Sequence, residues 1–422
     1  MEQYYDVVVI GAGASGLVAA WQASLGGARV ALLERNRKAG VKLSITGKGR
    51  CNITNTAEAN DYYKKIYPRG PFLKHAFWQF FTVDMVNLLE QAGVDTKEER
   101  GGRVFPASGK AADVVQALVN MNTSHQVNFL YECRVKEIVR TDRGTYTIAA
   151  ETSGKEKPLE TRSVILCTGG KSYPATGSTG DGYELARSLG HTVTPLQPAL
   201  VPVETYEDIP ARMVDLTLKN VSAVLWLDGK KHQQNFGEMF FTRHGLSGPI
   251  ILTLSQFIVE ALHKSREVKV TLDLKPALDE KKLDNRLLRD LDRDSKKQMG
   301  NLFRQWLPSA LIPWFMEQAG IEPSREAHQL SAKERRRIKV LMKTLPFHIK
   351  APRPFTEAII TAGGVSTLEI NSKTMESKLL PNLFFAGEIM DLHGDTGGYN
   401  LQIAWSTGWL AGKSAGQKKQ ED

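Results

Sequence analysis

Asp6-Val7-Val8-Val9-Ile10-Gly11-Ala12-Gly13-Ala14-Ser15-Gly16 is the stretch on which the fold turns. Val7 to Ile10 is β-branched and does not alternate, as expected of a strand buried on both faces of a parallel sheet. Glycines follow, then a helix-like Leu17–Gln22 that Gly26-Gly27 would end. Arg29–Glu34 reads as a second strand, completing a βαβ unit. A lone G-x-G-x-x-G is weak. Set between strand and helix, with an acidic residue closing the next strand, it is a dinucleotide fingerprint rather than a chance Gly-rich turn. Gly11 permits the tight turn, Gly13 lets the backbone approach a pyrophosphate, and Gly16 lets the helix lie close to the strand. Ala14 and Ser15 open the helix, whose free N–H groups and positive dipole end favour phosphate. Glu34 would accept hydrogen bonds from ribose hydroxyls and repel a 2′-phosphate. FAD or NAD therefore fits this unit, and NADP does not.

Working outward, two further strands of the same type lie far away, at Val164–Thr168 and Leu383–Ala386. One sheet is thus expected from both ends of the chain, with an insertion between. Residues 200–275 alternate and predict antiparallel β structure. Residues 276–345 predict short charged helices separated by Pro308, Pro313 and Pro323. The expected fold class is α/β: a Rossmann-like FAD domain with an inserted β-barrel-like subdomain and a small helical one. The expected divisions are 1–195, 196–275, 276–350 and 351–422. The Lys-rich tail after Lys413 is expected to fray.

The chain has 422 residues, 41% hydrophobic and 24% charged, which excludes fibrous and fully disordered classes. Three cysteines exclude a disulfide framework, and none has zinc-type spacing, so no metal site is expected. The polar, acidic Met1–Asp6 carries no basic leader, and no apolar run reaches bilayer length. The expectation is a cytoplasmic protein without membrane association.

The choice between FAD and NAD falls on the late segment Phe384 to Gln402, which runs strand, carboxylates, glycines, helix. An NAD dehydrogenase keeps its nucleotide half contiguous, whereas flavoproteins close the site with such a segment. N–H groups at the helix start would stabilise negative charge on a reduced flavin edge. Glu388 or Asp391 would hold ribityl hydroxyls.

Several blocks extend these features: Thr46–Asn55, which contains Gly49-Arg50-Cys51-Asn52; Gly102–Pro106; Cys167–Gly182; Gly387-Glu388; and Asp395-Thr396-Gly397-Gly398-Tyr399-Asn400. With Gly11–Gly16 and Glu34 they resemble the BaiN/RdsA-type NAD(P)/FAD-dependent oxidoreductases, some of them aminoacetone-oxidase-like, over essentially the whole chain. The resemblance implies FAD contacts at Gly11, Gly13, Ala14, Ser15, Gly16, Glu34, Arg35 and Lys42. It extends them to Arg50, Cys51, Asn52 and a backbone clamp on adenine at Val135. Thr168, Gly169 and Gly170 follow, then Gly387, Glu388, Asp391, Gly397, Gly398, Tyr399, Asn400 and Leu401. It also implies steroid C=C reduction, amine oxidation or conversion of a ribosomal uridine to dihydrouridine. Relatives carry Gly-Gly-Gly-Arg-Cys-Asn where Lys48 stands here, and the His in Phe241–Pro249 is displaced by one position to His244.

Three side chains are candidate proton donors: Cys51, His393 and His244. Cys51 lies near Lys48 and Arg50, which would lower its pKa; the alternative is a packed structural Cys. It has no C-x₄-C partner, so a redox disulfide is excluded. His393 stands between Asp391 and Asp395, which would raise its pKa. Each histidine has a plainer alternative, satisfying loop backbone. Cys133 and Cys167 read as core. No second dinucleotide fingerprint exists, so NAD(P)H is expected only as a transient reductant.

The formal net charge is +9, and residues 275–350 carry 17 basic and 10 acidic residues. This basic insertion is read either as solvated helix faces or as a phosphate-tracking surface for ribosomal RNA. Trp306, Trp314 and Phe347 would stack on bases or, as the better expectation, pack in a core. Three functions remain open. The first is an FAD enzyme reducing a C=C bond in ribosomal RNA, with NAD(P)H as hydride source. The second is a small-molecule reductase or primary-amine oxidase. The third is a non-catalytic flavin-bound factor.

Overall fold

The computed structural model describes residues 3–152 and 154–417. They form two units, 1–197 with 359–422, and 198–358.

In the first unit β1 (Gln3–Ile10) leads through α1 (Ala14–Leu25) to β2 (Val30–Leu33). The sheet continues with β3 (Asn128–Leu130), β4 (Cys133–Arg140), β5 (Tyr146–Thr152), β6 (Lys155–Leu166) and β7 (Leu383–Phe385). β1 is central: Val8 pairs in parallel with Ala31 of β2 on one side and Val164 of β6 on the other. Val7, Val8 and Val9 are fully buried, which explains the absence of alternation. β6 serves two partners along its other edge. Its first half pairs antiparallel with β5, and Val164–Leu166 pair in parallel with β7. The late strand therefore completes the sheet begun by the first one. The last helix, α2 (Tyr399–Gly416), packs on α1. It runs three residues past Lys413, where fraying was expected, and residues 418–422 of the tail lie outside the described residues.

The second unit is a closed six-stranded barrel, in the order Val203–Thr205, Gly245–Ser247, Lys230–Phe241, Thr217–Leu227, Val268–Asp273, Leu345–Pro352. The expected β structure over 200–275 is interrupted by the helix Pro249–His263. Its buried Ile250, Ile251, Leu254 and Ile258 recur at helical, not strand, spacing. Four helices follow between the fifth and sixth strands: Glu280–Arg293, Met299–Leu302, Ile312–Ala319 and Ala332–Lys343. Pro313 does not separate two of them. It sits in the first turn of Ile312–Ala319, where a missing N–H costs nothing. Leu283, Leu287, Phe315 and Ile338 share one core with Val270, Leu345 and Phe347 of the barrel. The helical stretch is thus an excursion from the barrel, and Leu345–Pro352 returns to close it. Trp306, Trp314 and Phe347 are all buried, Trp314 stacked on Phe347 at 5.7 Å. They belong to the core and offer no face to a base.

Candidate flavin site

The first glycines divide their work as the fingerprint demands. A Cβ at Gly16 would fall 1.8 Å from the Gly11 carbonyl oxygen, so α1 approaches β1 closely only with glycine there. A Cβ at Gly11, where φ is +102°, would fall 2.6 Å from the Cys167 carbonyl oxygen. At Gly13 it would meet nothing within 4 Å. Open space at the middle glycine is the cradle a pyrophosphate needs, directly before the N-terminus of α1. Ser15 is buried and donates to the Ala386 carbonyl (3.3 Å), tying α1 to the segment after β7.

Glu34 closes β2 and is buried. Its Oε2 accepts the Ala12 N–H (2.9 Å) and its Oε1 the Asn36 N–H (2.8 Å). Burial pushes its pKa up, against the two backbone donors. The Glu34 carbonyl accepts the Cys133 N–H (2.9 Å), which brings the start of β4, and so Val135, beside the end of β2. Arg35 pairs with Asp181 at 3.3 Å. Thr168, just after β6, has a buried hydroxyl without a hydrogen-bond partner among the described residues. A bound group at this sheet end would satisfy it.

A second cluster surrounds Glu388. Lys42 Nζ donates to Glu388 Oε2 (2.8 Å) and to Ser172 Oγ (2.7 Å). Glu388 Oε1 accepts from Ser172 Oγ (3.0 Å) and the Thr361 N–H (2.8 Å). Thr361 Oγ1 in turn accepts the N–H groups of Lys171 (2.8 Å) and Ser172 (3.1 Å). Gly170 lies in this cluster, since its Cβ would fall 2.5 Å from Thr361 Oγ1. Gly169 adopts φ +72° beside it. The Asp391 N–H donates to the Val365 carbonyl (2.9 Å), and burial raises its carboxyl pKa. Sequence reading singled out Lys42 and Glu388 but not Ser172 or Thr361, because hydroxyls in loops carry no spacing signal.

The third cluster is the start of α2. Gly397 and Gly398 have φ of +120° and +102°, and a Cβ at Gly398 would fall 2.4 Å from the Thr54 carbonyl oxygen. Asn55 Nδ2 donates to the Gly397 carbonyl (3.0 Å). In the orientation that satisfies the Asn52 amide, its oxygen accepts the Gly398 N–H at 3.0 Å. The Gly49–Asn55 and Asp395–Leu401 blocks, over 300 positions apart, are therefore neighbours. Asn400 folds the loop onto itself, accepting the Gly394 N–H and donating to the Gly394 carbonyl, both at 2.8 Å. Tyr399 is buried, and its hydroxyl accepts from Lys65 Nζ (2.7 Å). Leu401, two residues on, is half-buried. Gly387 touches α1, its Cβ position 2.5 Å from Ser15 Oγ. Arg50 is engaged by Glu99 and lies 4.2 Å above the Phe105 ring.

Two proton-donor expectations change. Cys51 is fully buried, and desolvation pushes its thiol up to about 12, whereas nearby cations were expected to lower it. Lys48 is exposed and Arg50 is engaged by Glu99, so neither offsets burial. His393 is buried in a short strand pairing with Ile66–Tyr67, its ring 5.8 Å from that of Tyr67. Burial holds its pKa down to about 4, so desolvation outweighs the neighbouring carboxylates. Asp395, read as the start of the late glycine block and as a neighbour of His393, moves the other way: burial pushes its carboxyl up to about 6, against the pull of Lys65. His244 is exposed in the turn before the barrel strand Gly245–Ser247. Cys133 and Cys167 are buried, as expected of core residues.

The residues present fit FAD: an open cradle at Gly13, a buried acid at the end of β2, an orphaned hydroxyl at Thr168, and a late glycine-led helix start. Among the described residues no helix is long and apolar enough to cross a membrane. Residues 5–414 match the model of the HI0933-like protein Rossmann domain. The chain is 33% identical over 412 residues to the 3-dehydro-bile acid delta(4,6)-reductase of Clostridium scindens, covering 97% of this chain and 98% of that one. It is 29% identical to the ribosomal RNA dihydrouridine synthase of Escherichia coli, covering 96% of each. Among solved structures, the 3-ketosteroid delta1-dehydrogenase of Sterolibacterium denitrificans matches with a TM-score of 0.52 and 12% identity, over 98% of this chain and 99% of that one. The 3-ketosteroid-delta4-(5alpha)-dehydrogenase of Rhodococcus jostii matches at 0.50 and 17%, over 99% and 97%. The chain thus belongs to the HI0933-like Rossmann-domain family and is an FAD-dependent oxidoreductase.

Proposed function

We propose that the protein reduces a C=C bond, that NAD(P)H is its transient reductant, and that its substrate is a uridine in ribosomal RNA. The observation carrying the RNA reading is the placement of charge: residues 275–350 hold seven of the nine net positive charges. The dihydrouridine synthase from Escherichia coli, similar over nearly its whole length, supports the same reading. FAD, once reduced, supplies the hydride. The chain supplies the rest. Gly13 leaves room for the pyrophosphate, and Glu34 keeps lone pairs for ribose hydroxyls. The N-terminus of α2 would offer its N–H groups to negative charge on a bound, reduced flavin. Asp395, in the loop that opens α2, holds the proton that a saturated bond requires, in place of Cys51 and His393.

Mass spectrometry of large-subunit ribosomal RNA tests the substrate. A strain lacking the gene should lose one dihydrouridine and regain it on complementation; an unchanged mark in a strain with no other dihydrouridine-forming enzyme would sink the reading. The proton role is tested with Asp395→Asn. Reduction of bound FAD by NAD(P)H should persist while product formation falls by about 10²-fold or more. A small-molecule C=C reductase is the second reading, favoured by the 33% identity to the bile acid enzyme.

A further inference from the structure

The helix Glu280–Arg293 carries its charges unevenly. Lys282, Arg286, Arg289 and Arg293 recur at intervals of four, three and four, so they share one face about 16 Å long. That face lines an open groove of about 660 Å³ with Asn285 and Gln305. At its floor lies Asp290, with a side chain only 5% exposed. Three guanidinium groups converge on this carboxylate: Arg286 at 3.7 Å, Arg289 at 3.4 Å and Arg293 at 3.6 Å. The indole N–H of the buried Trp306 donates to it at 3.0 Å. Asp294 also meets Arg293 at 2.9 Å, and Asp279 meets Lys282 at 3.5 Å.

Asp279, Asp290 and Asp294 offset three of the four cations; Arg293 is further held by Gln305, whereas Arg286 and Arg289 share the single Asp290 carboxylate with it. Of the other acids of the helix, Asp284 pairs with Arg335, Glu280 approaches Lys339 and Asp292 is exposed. The groove is therefore left with a surplus of one positive charge, on a row of four cations that ion pairs hold in place. Fixing arginines in advance lowers the entropy lost when they bind, and the planar fork matches phosphate oxygens in pairs. The length of the row and the open shape suit successive phosphodiesters better than one small anion.

We infer that this groove grips the phosphodiester backbone of RNA, with Asp290 as a positioning residue. The inference rests on the ribosomal RNA reading above and adds the surface that engages the strand. The test is fluorescence anisotropy of the full-length, FAD-loaded protein with a fluorescein-labelled RNA hairpin, across a range of salt concentrations. R286Q/R289Q should weaken binding by about tenfold or more. It should also reduce the slope of log affinity against log salt by about 1.4 to 1.8, the loss of two phosphate contacts on loop or stem. K219Q/K230Q, the same charge change at exposed positions of the barrel strands Thr217–Leu227 and Lys230–Phe241, outside residues 275–350, should stay within about twofold. The single variant R289Q, at the most exposed of the three arginines, provides the same readout should the double variant fold poorly. Unchanged binding in R286Q/R289Q overturns the inference, as do equal losses in both double variants. Displacement of the hairpin by inorganic phosphate at low millimolar concentration would also overturn it, since the site would then be one for small anions. The two claims fail separately. If deletion of the gene leaves ribosomal dihydrouridine intact, the substrate reading fails whatever the groove binds. If R286Q/R289Q restores the mark as fully as the natural chain, with undiminished RNA affinity, the groove fails alone.

Discussion

A side chain at Gly13 would meet no protein atom within 4 Å, and its φ of −84° suits any residue. Gly13→Ala should therefore leave the unliganded fold intact while its methyl group occupies the pyrophosphate position. The expected result is an unchanged melting temperature without FAD and an affinity for FAD at least about tenfold lower, measured by flavin fluorescence on titration. Gly16→Ala should instead destabilise the fold itself, because its Cβ would overlap the Gly11 carbonyl. At the same scale, His393 and Asp395 make opposed contributions to stability. His393 is held near 4 against an ordinary 6.5, so between those values the unfolded chain binds the extra proton and stability rises with pH. Asp395 is held near 6 against 3.8, so there the folded chain binds the extra proton and stability falls as pH rises. Each amounts to up to about 3 kcal/mol, and the windows overlap from pH 4 to 6. Urea unfolding across that window should show the two nearly cancelling in the natural chain. Relative to it, Asp395→Asn should gain stability as pH rises, and His393→Asn should lose it. Parallel curves for all three would mean that neither group is buried as described. Cys51→Ala should keep turnover within about twofold, since a thiol near 12 holds no readily released proton at neutral pH.

The central element pair is α1 against α2, and it depends on small residues. Gly408, Gly412 and Gly416 lie four apart on α2, and Cβ atoms there would fall 2.3, 2.3 and 2.6 Å from the carbonyl oxygens of Ser15, Ala19 and Ala23. The helices meet backbone to backbone. Since α1 opens at the pyrophosphate cradle and α2 at the late glycine loop, this contact sets both helix starts together. Gly412→Val should destabilise the protein by about 2–4 kcal/mol and lower FAD occupancy, read by denaturant unfolding and by the ratio of flavin to protein absorbance after purification. The legibility of these elements follows their physics. β1, α1 and β2 can be read because burial on both faces and the glycine fingerprint each leave a local pattern. That β7 joins the same sheet could be inferred from its apolar run; that it pairs with β6 could not. The helix Pro249–His263 left a signal too, the helical spacing of Ile250, Ile251, Leu254 and Ile258, but the alternation of the strands on either side of it dominates the stretch. The state of Cys51 and His393 could not be read. Their neighbours in sequence are charged, but both side chains are buried, and desolvation is a property of the fold. The Lys42–Glu388–Ser172–Thr361 cluster gathers residues from four separate segments, and nothing in any one of them announces the others.

At the scale of the whole molecule, the chain interrupts one unit to build another. In the FAD unit, the way out and the way back are adjacent. The Thr194 N–H donates to the Gly364 carbonyl at 2.9 Å, Val193 pairs with Val365, and a Cβ at Gly363 would fall 2.2 Å from the Pro195 carbonyl oxygen. In the barrel unit the same holds: Val203 on the first strand pairs with Pro352 on the last. Each unit thus has neighbouring ends and its own core, of Val8, Leu32, Ile165 and Trp405 in one and of Leu225, Val270, Phe315 and Phe347 in the other. Insertions of this kind separate with little loss, because closing a short loop costs far less than a packed core contributes. Residues 198–358 expressed alone should therefore show a cooperative thermal transition by circular dichroism. A chain in which a short Gly-Ser linker joins residue 197 to residue 359 should still purify yellow. The second outcome is the sharper one, because every residue placed at the flavin site from Gly11 to Leu401 lies in the first unit. A colourless but folded protein would show that FAD depends on groups from 198–358. A yellow one that reduces with NAD(P)H yet leaves ribosomal RNA unmodified would assign cofactor chemistry to the first unit and substrate engagement to the second.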